Sequence, residues 1–313
     1  MKNILVTGGL GFIGSNFIKH IFNKYDYHIH NVDLKTYAAN YDNISQEINK
    51  SGRYSLSICD INDTDRLRNL IHKNNINYIV NFAAESHVDN SINNSAPFIH
   101  TNINGTHSLL TLLHDCPSIE KYLQVSTDEV YGSLMEEDDA FTENTPIQAN
   151  SPYSASKASA DLLCRSFHET FNYPILITRC SNNYGPNQHE EKLIPLMIKN
   201  AKAGKKLPVY GDGRNIRDWI HVSDHCSAID SVLHGGKIGE TYNIGGNNEV
   251  RNIDIVKTIL KLLGKDENQI EFVKDRLGHD WRYAIDNSKI QNELKWSPKI
   301  TFKEGLKKLI EYK

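Results

Sequence analysis

Residues 4–14 read Ile4-Leu5-Val6-Thr7-Gly8-Gly9-Leu10-Gly11-Phe12-Ile13-Gly14. They form a short apolar run, a turn crowded with glycine and the first residues of a helix. Ile13, Phe17, Ile18, Ile21 and Phe22 then recur at helical spacing. Glycine lets the chain turn sharply and lets backbone N–H groups approach a pyrophosphate, whose charge then faces the helix N-terminus. A glycine pattern alone is weak evidence, but a strand before it and a helix after it make it specific. Gly8, Gly11, Phe12, Ile13 and Gly14 are therefore candidate dinucleotide ligands. Such a turn calls for an acidic residue about 20 positions later, at the end of the next strand, to bind ribose hydroxyls. Asp33 closes the apolar run His28–Asp33. A carboxylate there repels a 2′-phosphate, which favours NAD over NADP, although Lys35 stands nearby.

The same alternation continues outward from this turn. Strands are expected over Tyr54–Asp60, Tyr78–Phe82, Tyr122–Ser126 and Ile175–Cys180. Helices are expected around Leu67, Leu70 and Ile71 (capped by Asn62 or Asp63), over Pro97–His114 and over Tyr153–Phe171. A β-α-β-α order implies an α/β fold, a Rossmann-type doubly wound parallel sheet with right-handed crossovers. The regularity fades after Pro186. Residues 1–186 are read as the NAD-binding domain with the catalytic residues, and residues 187–313 as mainly a smaller C-terminal α+β substrate-binding region, some of whose segments can return to the sheet. Asp60 and Ile61, and Ala83 and Ala84, stand where strands end and are further candidate cofactor contacts.

With 35 Lys and Arg against 38 Asp and Glu, the net charge of −3 excludes a general nucleic-acid or membrane-surface binder. No apolar run reaches the ~20 residues of a membrane span, and the N-terminus carries no signal-peptide pattern. The five cysteines are scattered, without a Cys-x-x-Cys pair, and point to a reducing cytoplasm rather than a disulfide framework or a zinc site. No metal is expected.

Tyr153-Ser154-Ala155-Ser156-Lys157 sets a tyrosine and a lysine four apart, on one face of a helix. A phenol with a free pKa near 10 is a poor base, and an adjacent ammonium favours its ionised form. Lys157 can also hydrogen-bond the nicotinamide ribose. Together with Gly8, Gly11 and Gly14, Asn102-x-x-Gly105-Thr106 and Arg179-Cys180-Ser181-Asn182-Asn183-Tyr184-Gly185-Pro186, this pair resembles the extended short-chain dehydrogenase/reductase family over nearly the whole chain.

The segment Val125-Ser126-Thr127-Asp128-Glu129-Val130-Tyr131-Gly132 narrows the resemblance. Two carboxyls beside a hydroxyl exceed what alcohol oxidation needs, and they fit a reaction that also removes one proton and donates another. Thr127-Asp128-Glu129 is similar to the triad of the dTDP-glucose 4,6-dehydratases. That resemblance implies C4 oxidation by NAD with Tyr153 as base, helped by Thr127. Glu129 then removes the C5 proton while Asp128 protonates the departing C6 hydroxyl, and hydride returns to C6. As an acid, Asp128 must be protonated, and burial beside Glu129 would raise its pKa. Sibling 4-epimerases and UDP-sugar decarboxylases remain the alternatives, together with a non-catalytic NAD-binding regulator.

The resemblance also implies a sugar-nucleotide partner, dTDP-glucose, met by Glu85, His87, Thr127, Asn183, Lys192, Arg217, Asn252, Arg276 and His279. His87 can equally be a satisfied core histidine. Three departures from the dehydratase pattern are Asn90 for Arg, Leu277 for Pro and Ala39 for Gly. A homodimer pairing the Pro97–His114 and Tyr153–Phe171 helices is the family's expected assembly.

Overall fold

The computed structural model describes residues 1–312. Its centre is a seven-stranded sheet in which every pairing is parallel. Six strands follow the expected order: β1 (Asn3–Thr7), β2 (His28–Asp33), β3 (Tyr54–Ile58), β4 (Tyr78–Asn81), β5 (Lys121–Thr127) and β6 (Ile175–Cys180). Across the sheet they run β6-β5-β4-β1-β2-β3. The strand order reverses between β1 and β4, and the crevice outside their carboxyl ends is where such sheets bind ligands.

Alternation of side chains along each strand feeds two cores. Ile4, Val6 and Val80 pack on one face with Phe17, Ile18 and Ile21 of helix α1 (Phe12–Lys24). Leu5, Ile79, Ile175 and Ile177 face the other way, toward Leu67, Ile71, Leu109 and Leu113. Asp63 is the cap that the 64–74 helix uses, its side chain accepting from Arg66 N at 3.1 Å.

Beyond β6, β7 (Asn182–Tyr184), β8 (Leu207–Tyr210) and β9 (Ile216–His221) build small sheets. β10 (Thr241–Ile244) then returns to pair with β6 as the seventh strand of the large sheet. The Val222–Gly235 helix returns with it, burying Ile229, Val232 and Leu233 against the α1 side of the core. Sheet membership therefore extends well past residue 186, because β10 covers the edge of β6 that would otherwise present unpaired N–H and C=O groups. β11 (Glu249–Arg251) pairs with β9, and β12 (Ile270–Val273) with β8. These elements share a separate core around Ile194, Met197, Leu207, Ile255 and Leu260.

One expected helix differs. Pro97–His114 is not a continuous α-helix: Ala96–Phe98 leads into a π-helical stretch, Ile99–Asn104, before α-helix resumes at Gly105–Asp115. The widened turn aims Asn102 inward, and Gly105 then passes so close to Ile61 that a Cβ there would collide with its side chain. Periodicity does not register a single widened turn, a feature frequent at functional sites. Among the described residues, no helix is long and apolar enough to cross a membrane, and the five cysteines are free and buried.

Candidate active site

One cavity of about 320 Å³ lies outside the carboxyl ends of β1, β4, β5 and β6, within the size range of small-molecule sites. Gly8, Gly11, Phe12, Ile13, Gly14, Asp33, Asp60, Ile61, Ala83 and Ala84 line it, so the sequence-predicted cofactor set converges on one place. Gly8 has φ +69°, and a Cβ on it would sit 2.7 Å from Ala83 N. On Gly14 a Cβ would run into Gly8 O and come within 2.9 Å of Gly9 Cα. The turn is thus closed by backbone packed on backbone. Gly11 caps α1 without any side-chain bond, and the first turn has no acidic residue, which leaves the helix N-terminus open to an anion.

Asp33 is the latch of this turn. Its Oδ2 accepts from Leu10 N at 2.9 Å and its Oδ1 from Lys35 N at 2.8 Å. Each carboxylate oxygen keeps a further acceptor site for a ribose hydroxyl. Burial pushes its pKa up, against the pull of the two N–H bonds. Asp60 accepts from Asn62 N at 2.8 Å and meets His100 Nε2 at 3.0 Å. Burial alone would raise its pKa, but these bonds bring it below the usual carboxylate range. The open helix end, the cavity and the free acceptor sites on Asp33 fit a dinucleotide.

Thr127, Asp128, Glu129, Tyr153 and Lys157 line the inner part of the same cavity. β5 ends at Thr127, whose hydroxyl accepts from Glu129 N at 3.2 Å and starts the tight turn Asp128–Tyr131. On the opposite side Ser151 and Ser154 form a reciprocal capping box, with Pro152 beginning the helix. The cap places Tyr153 in the first turn, and Lys157 follows one turn later. Lys157 Nζ donates to Val125 O at 2.7 Å.

Asp128 is almost fully buried, and its Oδ2 has no hydrogen-bond partner among the described residues. Its pKa is raised well above the ordinary value, first by burial and then by the like charges of Glu129 and Asp218. That is the direction a proton donor requires. Burial also raises Glu129, but Arg276, Arg217 and Lys192 oppose that effect, so the adjacent carboxyls stand in different fields. The expectation for Tyr153 is corrected. Its pKa is raised well above 10.0, because burial and the negative potential of Glu129 outweigh the help of a Thr127 hydrogen bond. The Lys157 ammonium is aimed at Val125 O rather than at the phenol.

Of the candidate substrate residues, Glu85, Thr127, Asn183 and Lys192 line the cavity. Lys192 Nζ donates to Ser86 O at 2.9 Å, and burial lowers its pKa. Arg217, Arg276 and His279 are outside the lining; Arg217 and Arg276 face Glu129, and His279 faces these two arginines. Arg217 donates to Ile216 O at 2.7 Å and Asp280 O at 2.9 Å, and lies 4.2 Å from the centre of the Tyr283 ring. Its hydrogen bonds reach neutral carbonyls, so its positive charge is held in place without being cancelled. Arg276 Nε and Asn252 Oδ1 are buried without a hydrogen-bond partner among the described residues. His279 Nδ1 lies 2.7 Å from Asp275, and burial with the nearby Arg276 and Arg217 lowers its pKa to about 4. His87 caps the Val88–Asn93 helix, accepting from Asn90 N at 3.4 Å, and lies 3.7 Å from Glu191. It does not line the cavity; its capping bond fixes the ring instead. Of the three departures, Ala39 lines the cavity, Asn90 supplies that capped N–H and Leu277 is exposed.

Sequence reasoning assigned no role to Asn102. Its Oδ1 accepts from Glu85 N at 2.9 Å, and its Nδ2 donates to Glu85 O at 3.0 Å and Ser156 Oγ at 2.8 Å. It ties the Ala83–Glu85 loop to the Tyr153 helix. The Asn102-x-x-Gly105-Thr106 stretch quoted for the family resemblance was the available signal.

Residues 5–309 match the family model described as GDP-mannose 4,6 dehydratase. The Agl12 low-salt glycan biosynthesis protein of Haloferax volcanii is 48% identical over 99% of this chain and 98% of its own length. The dTDP-glucose 4,6-dehydratase of Haemophilus influenzae is 46% identical, covering 100% of this chain and 98% of that protein. A crystal structure of dTDP-glucose 4,6-dehydratase from Bacillus anthracis in complex with NAD superposes with a TM-score of 0.93 at 51% identity, covering 100% of this chain and 96% of that one.

Proposed function

The chain belongs to the GDP-mannose 4,6 dehydratase family, and from that premise and the geometry of the cavity we propose that it is an NAD-dependent dTDP-glucose 4,6-dehydratase. It converts dTDP-glucose to dTDP-4-keto-6-deoxyglucose and water. The observation that carries this reading is the pairing of buried Asp128 with Glu129 in the same cavity as Tyr153 and Lys157. An epimerase or a simple dehydrogenase has no use for an acid and a base placed side by side at the end of β5.

NAD held by this turn would supply the hydride acceptor for C4 and, once reduced, the hydride donor for C6. Gly8, Gly11 and Gly14 allow the close backbone approach to the pyrophosphate, with Phe12 and Ile13 N–H groups at the helix end, and Asp33 takes the adenosine ribose. Asp60, Ile61, Ala83 and Ala84 complete that wall. Tyr153 removes the C4 hydroxyl proton, with Thr127 bonded to the same oxygen. Burial raises this phenol, and the Thr127 hydrogen bond is the influence that lowers it. Glu129, facing three cations, takes the C5 proton made acidic by the C4 ketone. Asp128, kept protonated by burial and by Glu129, gives its proton to the departing C6 hydroxyl. Arg217, Arg276, His279, Asn252, Asn183 and Lys192 hold the nucleotide diphosphate, with Glu85 on the sugar side. Residues 1–186 thus hold NAD and the catalytic groups, and later residues mainly hold substrate.

Turnover of dTDP-glucose in deuterated water tests this. The product loses water and carries solvent deuterium at C5. Absence of turnover, or product without deuterium at C5, overturns the reading, and UDP-glucose in parallel measures base preference. The working form is a homodimer in the cytoplasm. Exposed Ile99, Leu162 and Phe171 on the two helices supply apolar surface for the pairing, and light scattering in solution measures it.

A further inference from the structure

Tyr153, Lys157 and Asp161 succeed one another at intervals of four along the Pro152–Phe171 helix and share one face. Asp161 is 1% exposed. Its Oδ2 accepts from Arg179 Nε at 2.8 Å, while its Oδ1 is buried without a hydrogen-bond partner among the described residues. Arg179 in turn donates to Tyr131 OH at 2.9 Å and lies 4.8 Å from the centre of that ring. Tyr131 OH donates to Asn243 Oδ1 at 2.7 Å. Tyr131 closes the turn that begins with Asp128 and Glu129. Val125, which receives the Lys157 ammonium, and Arg179 lie on neighbouring strands, with Ser126 opposite Arg179 in register. The helix is therefore tethered to β5 through Lys157 and to β6 through Asp161.

We propose that Asp161 is a positioning residue of this reaction: it supplies the counter-charge for Lys157 and, through Arg179 and Tyr131, fixes the Tyr153–Lys157 helix against the Asp128–Glu129 turn. The inference rests on the dehydratase reading. Two arms of the site come from different elements, one serving oxidation and the other elimination, and Arg179 bonds to both. A fully buried lysine without a nearby anion tends to lose its proton. Around Lys157 the charged or titratable groups are Asp161 and Cys164 on its own helix and Cys180 on β6. Tyr153 faces Glu129, Asp128 and Cys180. Around Asp161 stand Arg179, Tyr131, Tyr122 and Cys164. Burial pulls the Lys157 pKa down, and Asp161 is the largest influence pulling it up.

The test is Asp161→Asn with a dTDP-pentose as probe, which has a C4 hydroxyl but no C6 and so reports oxidation alone. Single-turnover appearance of reduced-nicotinamide absorbance is followed against pH. Removing the anion lowers the Lys157 pKa, so the basic limb of the profile moves to lower pH by about one unit. Asp161→Glu restores the limb. A purely structural Asp161 predicts a rate scaled down equally at every pH, and an unmoved limb in folded Asp161→Asn overturns the proposal. If the single variant fails to fold because the Arg179 guanidinium is left uncompensated, Asp161→Asn/Arg179→Gln removes both charges. The same downward shift of the limb is then expected, and its absence overturns the proposal equally. Wild-type turnover of dTDP-glucose is the control. Its absence sinks the dehydratase reading, whereas its presence with an unmoved limb sinks only the role of Asp161.

Discussion

Replacing Asp128 with Asn separates the two halves of the reaction. The carboxyl is buried and its pKa is raised well above the ordinary value, and the amide is nearly the isostere of its protonated form in size and charge. Thr127 Oγ1 lies 3.3 Å from Oδ1 and can donate to the amide oxygen as it does to the carboxyl. Oδ2 has no partner to lose. Folding stability should therefore change by less than about 1 kcal/mol. The chemistry changes far more, because an amide N–H is a very weak acid and hydroxide is a poor leaving group. General acid catalysis is worth 10²–10⁴-fold, so elimination should slow about 1000-fold, or about 4 kcal/mol of barrier. Oxidation at C4 relies on Tyr153 and Lys157 and should stay within a few-fold of wild type. In a rapid-mixing experiment with dTDP-glucose, reduced-nicotinamide absorbance rises at the usual rate and then persists instead of decaying. The wild-type elimination rate, which falls as pH rises through the Asp128 pKa, loses that limb in the variant. Elimination at the wild-type rate, or oxidation slowed as much as elimination, refutes the assignment of Asp128 as the acid.

Gly14→Ala drives a methyl into Gly8 O and Gly9 Cα. The turn must open at a cost of about 1–3 kcal/mol, and the purified protein should carry less nucleotide, measured by release on denaturation and by the melting midpoint. Arg217→Gln removes a charge held by backbone carbonyls and by Tyr283. Loss of charged hydrogen bonds worth about 2 kcal/mol should weaken dTDP binding about 30-fold in calorimetry while leaving NAD content unchanged; unchanged dTDP affinity would remove Arg217 from the diphosphate site. Asp230 receives bonds from Lys24 Nζ at 2.6 Å and Tyr25 OH at 3.0 Å and lies 2.9 Å from His20 Nε2. Burial opposes its ionisation, but these partners depress its pKa below the usual range. A depressed carboxylate stabilises the fold fully above its unfolded pKa of about 3.9 and loses that contribution as pH falls toward the folded value. Asp230→Asn should thus cost about 3 kcal/mol at neutral pH, and denaturation midpoints of the two proteins should converge below pH ~4.

The glycine turn, Asp33, and the Tyr153/Lys157 spacing were legible because each depends on local chain geometry. A glycine whose Cβ would strike its own turn, or two side chains four apart on a helix, is specified by neighbours in sequence. The six strands before residue 186 were legible for the same reason, since alternation and length announce a buried strand. The widened turn at Ile99–Asn104 was hidden, because one extra residue in a helix hardly changes its periodicity. The role of Asn102 emerges only when it meets Glu85 and Ser156 across the cavity.

Charge states belong to the tertiary structure. Tyr153 beside Lys157 in sequence suggested a lowered phenol pKa, yet burial reverses the sign, because desolvation depends on everything packed around the ring. The Asp128 pKa is raised first by burial and then by the like charge of Glu129, the direction its pairing suggested. The Asp161–Arg179–Tyr131 chain joins residues 131, 161 and 179, which only the β5–β6 pairing and the overlying helix bring together. By itself the sequence determined six strands of the sheet, the cofactor turn and the candidates for the reacting groups, because those follow from short-range pattern. Tertiary structure alone decided how burial and the surrounding cations act on each carboxyl, where the Lys157 ammonium is anchored and how β10 and the 222–235 helix complete the sheet, because solvent exclusion and long-range contact are properties of the packed molecule.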